Sequence, residues 1–167
     1  VPVAEASDLI ITVGKWVVDT AARQLAIWRA LHAPHVTTSV NVSARQLLRA
    51  DMPEPARHAA NEYGIERGAL LFELTESLLM RNPEQCEIAL EAIRREGIGV
   101  SIDDFGTGYS SLAHLQTLPI DQIKIDQSFI CTLPENAGSA AIVDAVITMA
   151  RSLGLSVVAE GVETDTQ

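Results

Sequence analysis

Basic residues are scarce in this chain, and that shortage excludes one large class of function. Lys and Arg number 12 against 22 Asp and Glu in 167 residues, a formal net charge of -10 at pH 7. No basic stripe interrupts the acidity, so a groove for a nucleic-acid polymer would have nothing with which to neutralise phosphates. An anionic substrate would be met through a metal ion instead. Aromatic residues make up 4% of the chain, which predicts an aliphatic core. The two cysteines, Cys86 and Cys131, lack CxxC spacing. They point to no zinc site and read as free thiols of a reducing compartment. No apolar run approaches the ~20 residues that span a bilayer, and no signal peptide is expected. Low-complexity tracts and internal repeats are absent, and Leu133-Pro134-Glu135-Asn136-Ala137-Gly138 reads as a loop, not a linker. What remains is a chain 47% hydrophobic, long enough for one domain over residues 1–167 with a sizeable core.

The densest feature is Ser101-Ile102-Asp103-Asp104-Phe105-Gly106-Thr107-Gly108-Tyr109-Ser110-Ser111-Leu112. Side chains alternate faces along a strand, so adjacent aspartates converge only where the strand ends and its backbone turns. Two carboxylates so placed repel unless a metal or a basic group offsets them. A loop start or helix cap would explain a lone Asp-Asp more simply, but this pair is not alone. Val36–Val40 runs into Asn41, and Leu70–Phe72 into Glu73-Leu74-Thr75-Glu76. Gly99–Ile102 reaches Asp103, Ile120–Ile123 reaches Lys124-Ile125-Asp126, and Leu155–Ala159 reaches Glu160. These short, β-branched-rich runs flanked by turn residues are predicted to be buried parallel strands.

Helical periodicity fills the intervals. It covers Ala4–Leu31, with Leu9, Ile10, Val13, Trp16, Val17, Ala21, Leu25 and Trp28 as a core-facing stripe, and Asp51–Tyr63. It also covers Pro83–Arg95 with Ile88, Leu90 and Ile93, Ser110–Leu118, and Ser139–Leu153 with Ile142, Val143, Val146, Ile147 and Met149. Gly97 and Gly154 follow two of these helices at the stop position. Alternating strand and helix predict a parallel sheet with helices outside it and functional groups at the strands' carboxyl ends. Asn41, Glu73, Asp103, Asp104, Lys124 and Glu160 all sit there. Five successive strands each delivering an oxygen ligand or a lysine is more than loop composition supplies.

Each residue also has a plainer reading. Asn41 could cap a helix, although Ser43 is the better cap. Lys124 could be a solvated strand-end lysine, but it faces opposite to Ile123 and Ile125, toward an interior where an unpaired ammonium is costly. Glu76 is as readily structural as functional. His32 and His35 are three apart with Pro34 between them, which ends the helix and spoils a metal pair; His58 and His114 are isolated. Gly106 and Gly108 are hinges, since no Gly-Lys-Ser follows to make a phosphate loop.

These residues fall into an ordered set. Val3-Ala4-Glu5-Ala6-Ser7-Asp8-Leu9-Ile10, Asn41-Val42-Ser43-Ala44-Arg45-Gln46-Leu47, Glu73-Leu74-Thr75-Glu76, the Asp103–Leu112 run, Leu118–Asp126 and Ala159-Glu160-Gly161-Val162-Glu163 together resemble the motifs of the EAL domain. That family comprises bacterial phosphodiesterases that linearise cyclic di-GMP. The resemblance implies a TIM-like α/β barrel with a two-metal Mg²⁺ or Mn²⁺ site. By motif position Asn41, Glu73 and Asp103 would be metal ligands, and Asp104 would bridge to a second metal. Lys124 would hold or help deprotonate the attacking water. Glu160 would be a further metal or general-base carboxylate, and Glu76 would anchor the loop from Asp104 to Ser111. It further implies cyclic di-GMP as ligand, a homodimer, a sensory or GGDEF domain fused in the parent protein, and a cytoplasmic location.

The family's Glu-x-Leu-x-Arg strand, with a ligand glutamate and a phosphate-binding arginine, is expected ahead of the first helix and is not in the sequence; the last strands are likewise expected beyond Gln167. The expected fold is therefore a barrel incomplete at both ends, and the expected activity of the chain itself is weak or nil. The main alternative is a receptor that binds cyclic di-GMP without cleaving it. Retention of Glu73, Asp103, Asp104 and Lys124 favours the enzyme. A phospho-acceptor receiver also pairs adjacent aspartates with a lysine, but it places the pair on its first strand, whereas here two earlier strands already end in Asn41 and Glu73.

Overall fold

A computed structural model describes residue 4 and residues 7–31, 33–49, 52–108 and 112–167. His32, Asp51 and the Tyr109–Ser111 part of the loop motif lie outside the described residues. The chain begins with α1 (Leu9–Leu31), then β1 (Thr38–Asn41), α2 (Ala44–Leu47) and α3 (Pro53–Tyr63). Next come β2 (Leu70–Thr75), α4 (Glu76–Arg81), α5 (Pro83–Arg95), β3 (Gly99–Phe105) and α6 (Leu112–Thr117). The chain closes with β4 (Gln122–Ile125), α7 (Gln127–Ile130), α8 (Ala137–Ser152) and β5 (Ser156–Ala159).

All strand pairs are parallel, and the five strands lie in sequence order, β1 to β5. Each crossover carries a helix, as parallel neighbours require. Among the described residues β1 and β5 are paired on one side only, so the sheet is an open arc rather than a closed barrel. Its core is mostly aliphatic: Leu70, Ile102, Ile123 and Ile125 from the strands, with the aromatic Phe72 among them, meet Leu90 and Ile93 of α5, all essentially without exposure. No helix among the described residues is long and apolar enough to cross a membrane.

The helices lie where periodicity puts them, but some present a different face. In α1 the buried row is Gly14, Val18, Ala22 and Leu25, whereas Leu9, Trp16 and Trp28 of the predicted stripe are exposed. The helix is apolar on two sides, and the side with small residues is the one that can approach α3 and β1 closely. In α5 the row is Cys86, Leu90 and Ile93, and Ile88, 71% exposed, is out of phase with it. Ile142 of α8 likewise faces outward while Val143 and Val146 are buried. Gly97 (φ 89°) and Gly154 (φ 73°) reverse the chain after α5 and α8, a backbone conformation that costs glycine least.

Candidate active site

Four of the strands run one to three residues past the predicted ends and β5 ends at Ala159 as predicted, so Asn41, Glu73, Asp103, Asp104 and Lys124 lie within the sheet and Glu160 directly after it. Asn41 closes β1 opposite Glu73 of β2, and Asp103 of β3 pairs with Thr75. Between Ile102 and Phe105 the register of β3 against β4 shifts. At that irregularity Asp104 takes φ 55°, a left-handed conformation that Asp tolerates better than most residues. The bulge turns what would be alternating side chains toward one place. One oxygen each from Asp103, Asp104 and Glu160 lie within 4.8 Å of one another.

Lys124 rises from β4 into this acid group, with Ile123 and Ile125 buried on the opposite face. Its Nζ donates to Asp103 Oδ1 at 2.8 Å and lies 3.2 Å from Glu73 Oε1 and 2.5 Å from Glu160 Oε1. Burial alone would pull the ammonium down, but its hydrogen bonds to Asp103, Glu160 and Glu73 prevail and hold Lys124 above the ordinary lysine range. Asp104 is pushed up, first by burial and then by the charges of Asp103, Asp126 and Glu160. Beneath the cluster, on the same face, Ser101 Oγ donates to Gln122 Oε1 (3.1 Å) and Gln122 Nε2 donates to Ser156 Oγ (3.3 Å). A polar row thus floors the site across β3, β4 and β5.

Glu76 stands at the first turn of α4, 2% exposed. Its Oε2 accepts the Gly106 N–H at 3.0 Å, so a carboxylate following β2 holds the start of the loop that follows β3. Its Oε1 is buried without a partner among the described residues, and a Cβ on Gly108 would come within 2.8 Å of it. Asp126 escaped sequence reasoning. It caps α7, accepting from Ser128 N at 2.9 Å. The Ser128 hydrogen bonds hold its carboxyl below the usual range, and a hydrogen bond to Asp104 adds to them. The Lys124-Ile125-Asp126 spacing was the available signal, since a strand-end residue two along from Lys124 returns to the same face.

Glu73, Asp103, Lys124 and Glu160 therefore share one ion-paired cluster with Asp104 beside it, and Asn41 lies on the neighbouring strand with its side chain exposed. The sequence profile of the EAL domain matches residues 1–167. The chain belongs to the EAL domain family.

This EAL chain is 43% identical over 168 residues to the bifunctional diguanylate cyclase/cyclic di-GMP phosphodiesterase MucR of Pseudomonas aeruginosa, covering 99% of the chain and 24% of MucR. It is 45% identical over 167 residues to the cyclic di-GMP phosphodiesterase NbdA of the same organism, covering 98% of the chain and 21% of NbdA. The chain thus spans under a quarter of the length of these relatives. In structure it matches the phosphodiesterase part of MucR, solved as a cyclic di-GMP complex, with a TM-score of 0.90 and 42% identity over 98% of this chain and 66% of that one. A calcium/cyclic di-GMP complex of BlrP1 from Klebsiella pneumoniae matches with a TM-score of 0.76 and 29% identity over 88% of this chain and 38% of that one. The EAL fold uses divalent metals, and the donor set here suits one. Three carboxylate oxygens within 4.8 Å are hard ligands of the kind Mg²⁺ and Mn²⁺ take.

Proposed function

We infer that the EAL domain, in its parent protein, hydrolyses cyclic di-GMP to linear pGpG in a metal-dependent reaction. The observation that carries the reading is the Glu73–Asp103–Lys124–Glu160 cluster, with Asp104 beside it, at the carboxyl ends of four adjacent strands. Four carboxylates against one ammonium leave a site too negative to accept a phosphodiester unaided. In this reading Asp103, Asp104 and Glu160, with Glu73 and Asn41, hold Mg²⁺ or Mn²⁺. Such cations supply charge neutralisation at the phosphate and a lowered pKa for the attacking water.

The remaining steps belong to the chain. Lys124, held protonated by its three carboxylates, donates from Nζ; its role is to hold the attacking water in line with phosphorus rather than to deprotonate it. Glu160, the most exposed of its partners at 30%, is free to turn and accept the water's proton at Oε1. Attack forms a new P–O bond from the water oxygen and breaks one of the two bridging P–O bonds, and the freed ribose oxygen takes up a solvent proton and leaves as a hydroxyl, opening the ring to the linear dinucleotide. Glu76, through Gly106 N–H, keeps the loop after Asp104 in place beside the reacting phosphate. A further catalytic or sensory domain in the same polypeptide, in the manner of bifunctional MucR, belongs to the same proposal.

The test is chromatography of product from cyclic di-GMP with Mg²⁺, with Mn²⁺ and with excess chelator. Turnover should require a cation and vanish in Asp103→Asn and Glu73→Gln while circular dichroism is unchanged. Turnover that persists in chelator would sink the metal-dependent account, and binding of cyclic di-GMP without any product would identify a receptor instead.

A further inference from the structure

We propose that Gln46, seated in the notch that Gly14 leaves in α1, is a positioning residue for Asn41. The inference rests on the reading of Asn41 as a cation ligand. The β1 ladder continues just past Asn41, where Val42 N–H donates to Glu73 O at 2.9 Å. The chain then enters α2, a helix of four residues with too few internal hydrogen bonds to fix itself. What fixes it is Gln46. Its side chain closes a capping box: Oε1 accepts from Ser43 N at 3.1 Å and from Ser43 Oγ at 2.7 Å, and Ser43 Oγ accepts from Gln46 N at 3.4 Å. Yet Gln46 is 5% exposed, which a cap on a surface turn does not require.

The burial comes from α1. A Cβ on Gly14 would collide with Gln46 Nε2 and stand 3.1 Å from its Cδ, so the amide occupies the space that the missing side chain leaves. Gly14 is also in the buried row of a helix interior, where glycine costs about 0.5–1 kcal/mol relative to alanine. The notch offsets that cost by letting the amide sit on the helix. Gln46 joins Asn41, Val42, Thr75 and Ser77 in the wall of a cleft of about 690 Å³. A line of contacts therefore runs from Gly14 through Gln46 to the Ser43 turn, and Asn41 is two residues before that turn. With the amide expelled, the turn loses both hydrogen bonds that Gln46 Oε1 accepts from Ser43, and the segment that follows Asn41 loses its support.

The test is Mn²⁺ affinity of the 167-residue chain, read from the free-ion EPR signal well below each variant's Tm. Gln46→Ala and Gly14→Ala should each weaken Mn²⁺ binding on the order of tenfold, the low end of what losing an outer support costs. The double variant should be no weaker than either single one, because both remove one contact. Gln46→Ala in an Asn41→Ala background should change nothing further, which a general loss of stability would not produce. If Gly14→Ala does not fold, the Gln46 and Asn41 pair still decides. Parent affinity in Gln46→Ala, or losses for Gln46→Ala and Asn41→Ala that multiply, overturns the positioning role alone. No Mn²⁺ uptake by the parent chain overturns the metal reading of Asn41 and this inference with it.

Discussion

Replacing Lys124 by Met removes the ammonium that Glu73, Asp103 and Glu160 share and leaves three carboxylates facing one another. The side chains of Lys124, Glu73 and Asp103 are 13%, 10% and 15% exposed, so water can do little to relieve them. Deleting one partner of a buried pair costs about 3–5 kcal/mol. The 30% exposure of Glu160 lets that carboxylate swing outward, which sets the expected loss at about 3 kcal/mol in chelator. For a domain of this size that is a fall of roughly 6–12 °C in Tm. Lys124 is held above its ordinary range. Its contribution is fully present below the unfolded lysine value of ~10.4 and is lost only as pH rises through the higher folded value. The deficit should therefore be flat across neutral pH. Saturating Mn²⁺ should shrink it, because a cation then does what the ammonium did. Paired melting curves with chelator and with Mn²⁺ decide the matter: a deficit under about 1 kcal/mol in chelator, or one that Mn²⁺ leaves unchanged, would refute the electrostatic account of the cluster.

Asp104→Asn should raise the Tm of the cation-free protein near neutral pH. A carboxyl pushed up by burial and by Asp103, Asp126 and Glu160 gives stability present below its unfolded value and lost as pH rises through its folded one; melting curves at pH 4 and pH 8 should show the gain only at the higher pH. Glu76→Ala should strand the Gly106 N–H that Glu76 Oε2 accepts, cost about 1–3 kcal/mol by thermal unfolding, and lower turnover more than that loss alone explains; parental turnover in a folded variant would show that the loop needs no anchor. Gly108→Ala should mimic Glu76→Ala, since its Cβ would press within 2.8 Å of Glu76 Oε1, and limited proteolysis of the loop after Gly106 should accelerate in both.

The strands and their order were legible because parallel strands in this topology are buried runs of Val, Ile and Leu, and the helices between them have the matching period. What eluded the sequence was set by partners far along the chain. The β4 strand starts at Gln122 rather than Ile120 because Asp121 pairs first, donating from its N to Val100 O and accepting Val100 N on Oδ2. Which side of α1 faces inward depended on Gly14 and Ala22 allowing close approach, a property of the neighbours and not of the hydrophobic count. At the site, the composition of the cluster could be read from strand-end residues. The bulge that redirects Asp104, the sharing of Lys124 among three carboxylates and the arrival of Asp126 could not, because each depends on register between strands. Two short helices, α4 and α7, also went unread, since pieces of four to six residues carry too little periodicity to register, whereas α2 was signalled by its Ser43 cap alone.

The left-handed backbone at Asp104, φ 55°, filters how this position can change over generations. Most side chains pay a steric penalty there, while Gly pays none and Asn and Asp pay less. A lineage losing its need for the carboxylate would therefore pass through Asn or Gly, keeping the bulge and the strand pairing intact, whereas Ala or Ser would strain the backbone and remove the charge in one step. Decay of the chemistry and decay of the fold are separable at Asp104 along those two routes alone, so an Asn or Gly at this position in a relative would mark a site that has given up its carboxylate while its architecture persists.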